Sequence, residues 1–122
     1  MLVDGDPHRL GQALINLFDN ARAAVDGVAE HGRIAVESDP HPDGSVEIHI
    51  CDNGSGIPSE IRDTVFQPFV SRDPNGTGLG LAIVAKIMEA HGGCAKLTER
   101  PGWNTCLTLV FPPPPLATSN GR

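Results

Sequence analysis

The chain has 122 residues, of which 39% are hydrophobic and 20% charged, and its formal net charge at pH 7 is −6. This composition is typical of one globular domain and excludes a disordered chain. The acidic balance, the absence of Tyr and the presence of one Trp argue against a nucleic-acid-binding protein and against binding to anionic membranes.

Apolar spacing along the chain predicts alternating helices and hairpins. Helical periodicity begins after Asp6-Pro7, a typical helix start, and alternating apolar residues indicate two hairpins. The predicted elements, in order, are a helix over His8–Val25, strands over Arg33–Asp39 and Val46–Asp52 joined by a turn at Pro40–Gly44, a short helix over Ser59–Thr64, a helix over Leu79–Ala90, and strands over Cys94–Thr98 and Cys106–Phe111.

This order of elements predicts an α+β fold. We expect a two-layer α/β sandwich in which a mostly antiparallel, mixed sheet is covered on one face by helices. Pro112–Pro115 cannot continue inside a sheet. The sequence therefore predicts one domain over residues 1–112 and a flexible, Pro-rich tail over residues 113–122.

Two glycine-rich segments, far apart in the chain, indicate a nucleotide site. The first is Asp52–Gly56, at the end of a predicted strand, and the second is Gly76–Leu81, which leads into a predicted helix. Closely spaced glycines let backbone N–H groups approach phosphate oxygens, and the following helix adds the positive end of its dipole. Upstream, Asn16 and Asn20 place two amides one turn apart on a helix. Together these segments predict an ATP-binding domain.

The same segments resemble the catalytic, ATP-binding domain of sensor histidine kinases, within the group that includes gyrase B, HSP90 and MutL. Asn16–Ala21 resembles the family's asparagine box, and Asp52–Gly56 its first glycine box. Phe66–Phe69 resembles the phenylalanine box, and Gly76–Leu81 the second glycine box. Four boxes in this order cover nearly the whole chain, and the short segment between Phe69 and Gly76 is similar to the nitrogen-regulator branch.

The resemblance implies a Bergerat-type ATP-binding fold that binds ATP and Mg²⁺. By similarity, Asp52 accepts a hydrogen bond from the adenine amine, Asn20 is the Mg²⁺ ligand, and Asn16 and Asn20 serve catalysis. The residues that it implies in nucleotide binding are Asn20, Asp52, Gly54, Gly56, Ile57, Phe69, Arg72, Gly76, Thr77, Gly78, Leu79 and Gly80. Gly54 and Gly56 are expected to leave room for the base, and Leu79 and Leu81 to anchor the helix in the core.

The implied activity is transfer of the γ-phosphoryl group to a histidine on a dimerisation hairpin that this sequence does not contain. In hydrolytic relatives a Glu stands at position 16, whereas the Asn16 amide cannot act as a base. A hydrolytic ATPase of the same fold and a non-enzymatic, degenerate nucleotide-binding module are the alternatives, and a serine kinase acting on anti-sigma partners is disfavoured. By the same resemblance, Val70–Gly76 is the lid over the nucleotide. Asp73 stands where a lid lysine is common in this branch, so either Arg72 contacts phosphate or the lid binds phosphate weakly.

Further expectations concern partners, location and the remaining reactive side chains. The resemblance implies the parent kinase's dimerisation and phosphoacceptor domain and a response regulator as partners, with no nucleic acid and no direct membrane contact. No signal peptide or transmembrane stretch is apparent, so we expect a cytoplasmic domain, whether or not its parent is membrane-anchored. Because the dimerisation hairpin and a fitting phosphoacceptor histidine are absent from this sequence, we expect a monomer that does not phosphorylate itself. The scattered histidines predict no zinc site, and Cys51, Cys94 and Cys106 are expected to be reduced, buried packing residues.

Overall fold

In the computed structural model, the described residues (5–26, 31–71 and 76–114) form two α-helices, a 3₁₀-helix and four strands. The elements are α1 (Pro7–Asp26), β1 (Ile34–Pro40), β2 (Val46–Asp52), the 3₁₀-helix (Ser59–Thr64), α2 (Gly80–Ala90), β3 (Cys94–Thr98) and β4 (Thr105–Phe111). Each element begins and ends within one residue of its predicted bounds.

The start of α1 is fixed by Asp6. Its Oδ1 accepts hydrogen bonds from the N–H groups of His8 at 2.9 Å and Arg9 at 3.4 Å, which satisfies two donors that the first helical turn leaves unpaired. Pro7 follows as the first helical residue, where its missing N–H costs nothing. The helix therefore begins at the position that the sequence predicts.

The four strands form one sheet in the order β1-β2-β4-β3, and all three neighbouring pairs are antiparallel. The register places Ile50 opposite Val36 on one side and opposite Leu107 on the other. Since side chains alternate across a sheet, these residues share one face with Val46, Ile48 and Asp52. The predicted α+β, two-layer sandwich is confirmed.

The hydrophobic core lies between this face of the sheet and the two helices. Leu17 of α1 and Met88 of α2 are fully buried against Ile50, Leu107 and Leu109 of the central strands. On the opposite face the same strands carry Glu47, His49, Cys51, Cys106 and Thr108. The helices thus cover one face of the sheet. Their packing on the core fixes the position of the start of α2 relative to the end of β2.

The first hairpin differs slightly from its prediction. Pro40 belongs to β1, opposite Val46, rather than to the turn. A proline is tolerated there because β1 is an edge strand. The turn itself is closed by a hydrogen bond from the His41 N–H to the Ser45 carbonyl at 2.9 Å.

The prediction of three reduced, buried cysteines was wrong about the redox state of Cys51 and Cys106 and about the burial of Cys94. Cys51 and Cys106 lie directly opposite each other on β2 and β4, with their Cα atoms 4.1 Å apart, and form a disulfide. Both are buried, whereas Cys94 is a free, exposed cysteine at the start of β3. The pairing joins residues 55 positions apart in the sequence, so only the strand register reveals it.

Two further predictions concern chain segments outside the sheet. Neither described helix combines the length and the apolarity needed to cross a bilayer. Residues 112–114 continue from β4 without regular secondary structure, and the rest of the predicted tail, 115–122, lies outside the described residues. The domain boundary at residue 112 stays a prediction.

Candidate functional site

The polar edge of α1 borders a cavity of about 250 Å³. Asn16 and Asn20, one helical turn apart, both line this cavity and are half-buried. The Asn16 amide Nδ2 donates a hydrogen bond to the Gly80 carbonyl at 3.3 Å. The asparagine box is therefore tied directly to the first residue of α2, and its side chains face a space between the two helices.

The second glycine loop lines the opposite side of the same cavity. Gly76, Thr77, Gly78 and Gly80 all border it. A Cβ built on Gly80 would meet no atom within 4 Å, so the start of α2 opens onto free space. A helix N-terminus presents unpaired N–H groups and the positive end of its dipole, which makes this wall of the cavity suitable for an anion.

The base of the lid is closed by Phe69 and Gly78. The Phe69 N–H donates to the Gly78 carbonyl at 2.9 Å, and a Cβ on Gly78 would lie 2.6 Å from the Phe69 Cα. Both residues have positive φ values, 68° and 74°. The contact requires glycine at position 78 and leaves the Phe69 side chain 79% exposed.

Leu79 differs from its prediction as a core anchor. It is the N-cap residue of α2 and is 38% exposed, whereas Leu81 is buried as predicted. The Leu79 N–H donates to the Thr77 Oγ1 at 3.2 Å, which shapes the turn into the helix. Leu79 lies before the first helical turn of α2, whose buried side chains begin at Leu81. Its side chain therefore stays outside the core.

Asp52 ends β2 as a buried carboxylate, 1% exposed. Its Oδ1 accepts the Gly54 N–H at 2.9 Å, and its carbonyl accepts the Asn104 N–H at 3.0 Å. The Asn104 side chain donates to the Gly54 carbonyl at 2.8 Å, and Thr105 stands opposite Asp52 in the sheet. The first glycine turn is thus held from both sides and fixes the carboxylate at the end of the strand.

The two glycines of this turn have different surroundings. A Cβ on Gly54 would lie 2.5 Å from the carbonyl carbon and oxygen of Ala24, so the missing side chain lets the turn pack on α1. Gly56 has a φ of 77° and open space around it, next to the buried Ile57. Room for a ligand therefore lies at Gly56, whereas the space beside Gly54 is filled by α1.

The structure places most of the predicted site residues in two regions. Asn16, Asn20 and the second glycine loop border the 250 Å³ cavity, whereas Gly56 and Ile57 border a larger, open one of about 580 Å³. Phe69 lies at the lid base, and Arg72 lies outside the described residues.

Three polar residues near these regions were not predicted as site residues. Asp19 was predicted to point away from Asn20, yet it borders the same cavity. The cavity is wide enough to contact residues on more than one side of α1. Asn104 and Thr105 reach Asp52 through the pairing of β2 with β4. In the sequence, both residues simply precede the predicted strand Cys106–Phe111. That position does not indicate that they lie beside Asp52.

Comparisons with known proteins agree with this geometry. The family described as histidine kinase-, DNA gyrase B- and HSP90-like ATPase matches residues 5–115. The sensor histidine kinase ZraS of Escherichia coli (strain K12) is 37% identical over 110 residues, which are 90% of this chain and 23% of ZraS. The nitrogen regulation protein NtrY of Azorhizobium caulinodans is 43% identical over 100 residues, which are 79% of this chain and 13% of NtrY.

A solved structure gives the same result at the level of the fold. The mycobacterial sensor histidine kinase MprB superposes with a TM-score of 0.74 and 34% identity, over 90% of this chain and 76% of that one. The present chain spans less than a quarter of the length of ZraS and of NtrY. The resemblance predicted from the four boxes is confirmed: the chain belongs to the histidine kinase-, DNA gyrase B- and HSP90-like ATPase family and is homologous to the catalytic, ATP-binding domains of sensor histidine kinases.

Proposed function

We propose that this chain transfers the γ-phosphoryl group of ATP to a histidine on a dimerisation hairpin of its parent kinase. The observation that carries the proposal is the convergence of the Asn16–Asn20 edge of α1, the N-terminus of α2 and the Phe69–Gly78 lid base on one cavity. Family membership supplies ATP as the nucleotide. The phosphoryl transfer itself is supported by the relatives, which are named as sensor histidine kinases.

The phosphates of ATP would lie against the start of α2. The open space at Gly80 and the unpaired N–H groups of the first helical turn favour a bound anion there. Thr77 borders the same space and has a hydroxyl proton to donate. Because this domain is acidic overall, these backbone donors matter more than surface charge for holding a phosphate chain.

Mg²⁺ would bind at the α1 edge of the cavity. Asn20 offers an amide oxygen, and the Asp19 carboxylate borders the same space. Both are the hard oxygen ligands that Mg²⁺ prefers, and this ion retains several waters and phosphate oxygens in its coordination shell. Two protein oxygens beside the phosphate region therefore suffice, and the bound ion would neutralise charge on the phosphates.

Adenine would be recognised by Asp52. The carboxylate is fixed at the end of β2 by the Gly54 N–H, 2.9 Å from its Oδ1, and an ionised oxygen is a strong acceptor for the exocyclic amine. Gly56 and Ile57 would form the edge of the base pocket, since Gly56 leaves open space and Ile57 presents an apolar side chain. Arg72, in the lid, is our candidate for a direct contact with phosphate.

Asn16 favours transfer over hydrolysis. Its amide cannot accept a proton from water, and its nitrogen already donates to the Gly80 carbonyl. In phosphoryl transfer the protein mainly positions the reactants and neutralises charge, which this arrangement can do without a base. Asp19 at the cavity rim is the observation that favours the second candidate, a hydrolytic ATPase, because it is a carboxylate near the same space.

The hairpin would dock where apolar side chains are exposed beside the lid base. Phe69 is 79% exposed, and Leu79 and Ile83, one turn apart at the start of α2, are 38% and 37% exposed. This surface adjoins the phosphate end of the cavity, so a histidine on the docked hairpin would face the γ-phosphate. An aspartate of a response regulator would then accept the phosphoryl group, and we infer a cytoplasmic location for the domain.

A transfer assay tests the proposal. The chain is incubated with γ-labelled ATP and Mg²⁺, alone and with the dimerisation domain of its parent kinase. We expect acid-labile, base-stable label on the hairpin only when both proteins are present. Asn20→Ala should reduce the transfer rate at least tenfold, whereas Gln12→Ala, an exposed polar change one turn before Asn16 on α1, should leave it unchanged.

The alternatives predict different results. Steady phosphate release by the isolated chain would identify a hydrolytic ATPase. ATP binding without transfer to the supplied hairpin would identify a degenerate nucleotide-binding module. Label appearing on the isolated chain would contradict the expectation that the phosphoacceptor histidine lies outside this sequence.

A further inference from the structure

A second polar cluster lies on the sheet face that is turned away from the helices. Asp39 of β1 and Glu47 and His49 of β2 have their ligand atoms within 4.8 Å of one another. The His49 Nε2 lies 2.9 Å from the Asp39 Oδ2 and 3.5 Å from the Glu47 Oε1. Ligand atoms 2.0–2.2 Å from a tetrahedral Zn²⁺ lie about 3.4 Å apart, so these separations need only small adjustments.

His49 is held with its Nε2 directed at the two carboxylates. The residue is 3% exposed, and its Nδ1 lies 2.8 Å from the Thr108 Oγ1 on β4. Thr108 lies 2.8 Å from the Thr98 Oγ1, so its own proton can be donated onward while it accepts the Nδ1–H. Metal-binding histidines are usually oriented in this way through the other ring nitrogen.

The charges around the cluster are not balanced without a cation. Asp39 and Glu47 stand directly opposite each other in the hairpin, an arrangement of like charges that destabilises a strand pair. Glu37 adds a third carboxylate, and Arg100 contacts it at 2.8 Å but Asp39 only at 3.4 Å. The three carboxylates carry more negative charge than Arg100 and Lys96, which stands opposite Thr108 on the same face, can neutralise, and this excess favours a bound cation.

Neighbouring side chains already contact both carboxylate ligands. Arg100 Nη1 lies 3.4 Å from the Asp39 Oδ2. His41 lies 3.6 Å from the second oxygen of Glu47. Arg100 can keep its shorter contact with Glu37 if a cation takes its place at Asp39.

We propose that Asp39, Glu47 and His49 form a binding site for a divalent transition metal of the Zn²⁺ type. One imidazole nitrogen with two carboxylate oxygens suits Zn²⁺, whereas Mg²⁺ prefers oxygen ligands alone. Water would complete the coordination. The site is separate from the nucleotide cleft, because His49 and Asp52 point to opposite faces of β2, and it does not depend on the proposed kinase activity.

Zinc titration in competition with a fluorescent chelator tests the site. The full chain carries Cys94→Ser throughout, because that exposed thiol could bind the metal by itself. We expect one Zn²⁺ per chain with a micromolar or tighter dissociation constant. Glu47→Gln, at a partly exposed position, should weaken binding at least tenfold, whereas His8→Ala, an exposed histidine on α1, should not change it.

Two further measurements keep the test decisive. His49→Gln should abolish binding, and circular dichroism shows whether that variant is folded; Glu47→Gln carries the test if it is not. Bound Co²⁺ should show tetrahedral visible bands without thiolate charge transfer. The proposal would be overturned by the absence of saturable binding, by equal affinity in Glu47→Gln, by loss of binding in His8→Ala, or by a thiolate band.

Discussion

Gly54→Ala would test whether the first glycine turn must pack against α1 to build the site. The new Cβ would lie 2.5 Å from the carbonyl carbon and oxygen of Ala24 and 2.7 Å from its Cβ. Two of these atoms belong to the backbone of a helix, so no side-chain rotation relieves the overlap. We expect a loss of about 1–3 kcal/mol in the free energy of unfolding, the usual cost of overpacking.

The same substitution should also weaken ATP binding. Ala24 lies one turn beyond Asn20 on α1, so a shift that relieves the overlap moves the asparagine edge relative to Asp52 and the start of α2. The free energy of unfolding would be measured by urea denaturation and ATP affinity by calorimetry with Mg²⁺. We expect at least a tenfold loss of affinity in the variant.

Gly80→Ala is the matched control for stability. Its Cβ would meet nothing within 4 Å, and alanine is favoured over glycine in a helix by up to about 1 kcal/mol. We expect stability equal to or above that of the wild type, with weaker ATP binding because the methyl group enters the phosphate region. Wild-type stability and affinity in Gly54→Ala would refute the reasoning.

Three further predictions follow from the fold. Leu17→Ala should lower the free energy of unfolding by about 2–5 kcal/mol in urea, because this side chain is fully buried in the core; an unchanged midpoint would contradict this. Asp6→Ala should cost about 1 kcal/mol in the same assay, since it removes the cap of α1. Two Ser45 donors, at 2.6 and 2.8 Å, hold the pKa of Asp43 below 3.8; this stabilisation is complete above the unfolded pKa and is lost as pH falls through the folded one. NMR titration should place the Asp43 midpoint below 3.8 and show it rising in Ser45→Ala, and an equal midpoint in both proteins would contradict the account.

Local chemistry explains how much of the structure could be predicted. Periodicity, the Asp6-Pro7 start and the glycine turns are properties of neighbouring residues, so the helices and strands were predicted within one residue. The order of these elements indicated the two-layer sandwich, and the four boxes indicated the family. Asn16 and Asn20 share a helix face by spacing alone, and the structure places both at one cavity.

What could not be predicted depends on strand register and helix packing. The Cys51–Cys106 disulfide and the contact of Asp39 with His49 join residues on different strands. No local pattern gives that alignment, which is why the scattered histidines predicted no metal site. Leu79 fits an apolar helical pattern, yet it precedes α2 and stays exposed.

Calorimetric titration of Mg²⁺-ATP into the wild type, Asp52→Ala and Asp52→Asn tests whether this domain binds ATP with Asp52 as the acceptor for adenine. The asparagine variant keeps an oxygen for the Gly54 N–H but loses the ionised acceptor. A charge-assisted bond is worth about 1.5–3 kcal/mol, a roughly 10- to 150-fold loss of affinity. We expect such a loss in both variants with folding intact; wild-type affinity in Asp52→Asn, or no ATP binding by the folded wild type, would overturn the proposed adenine site.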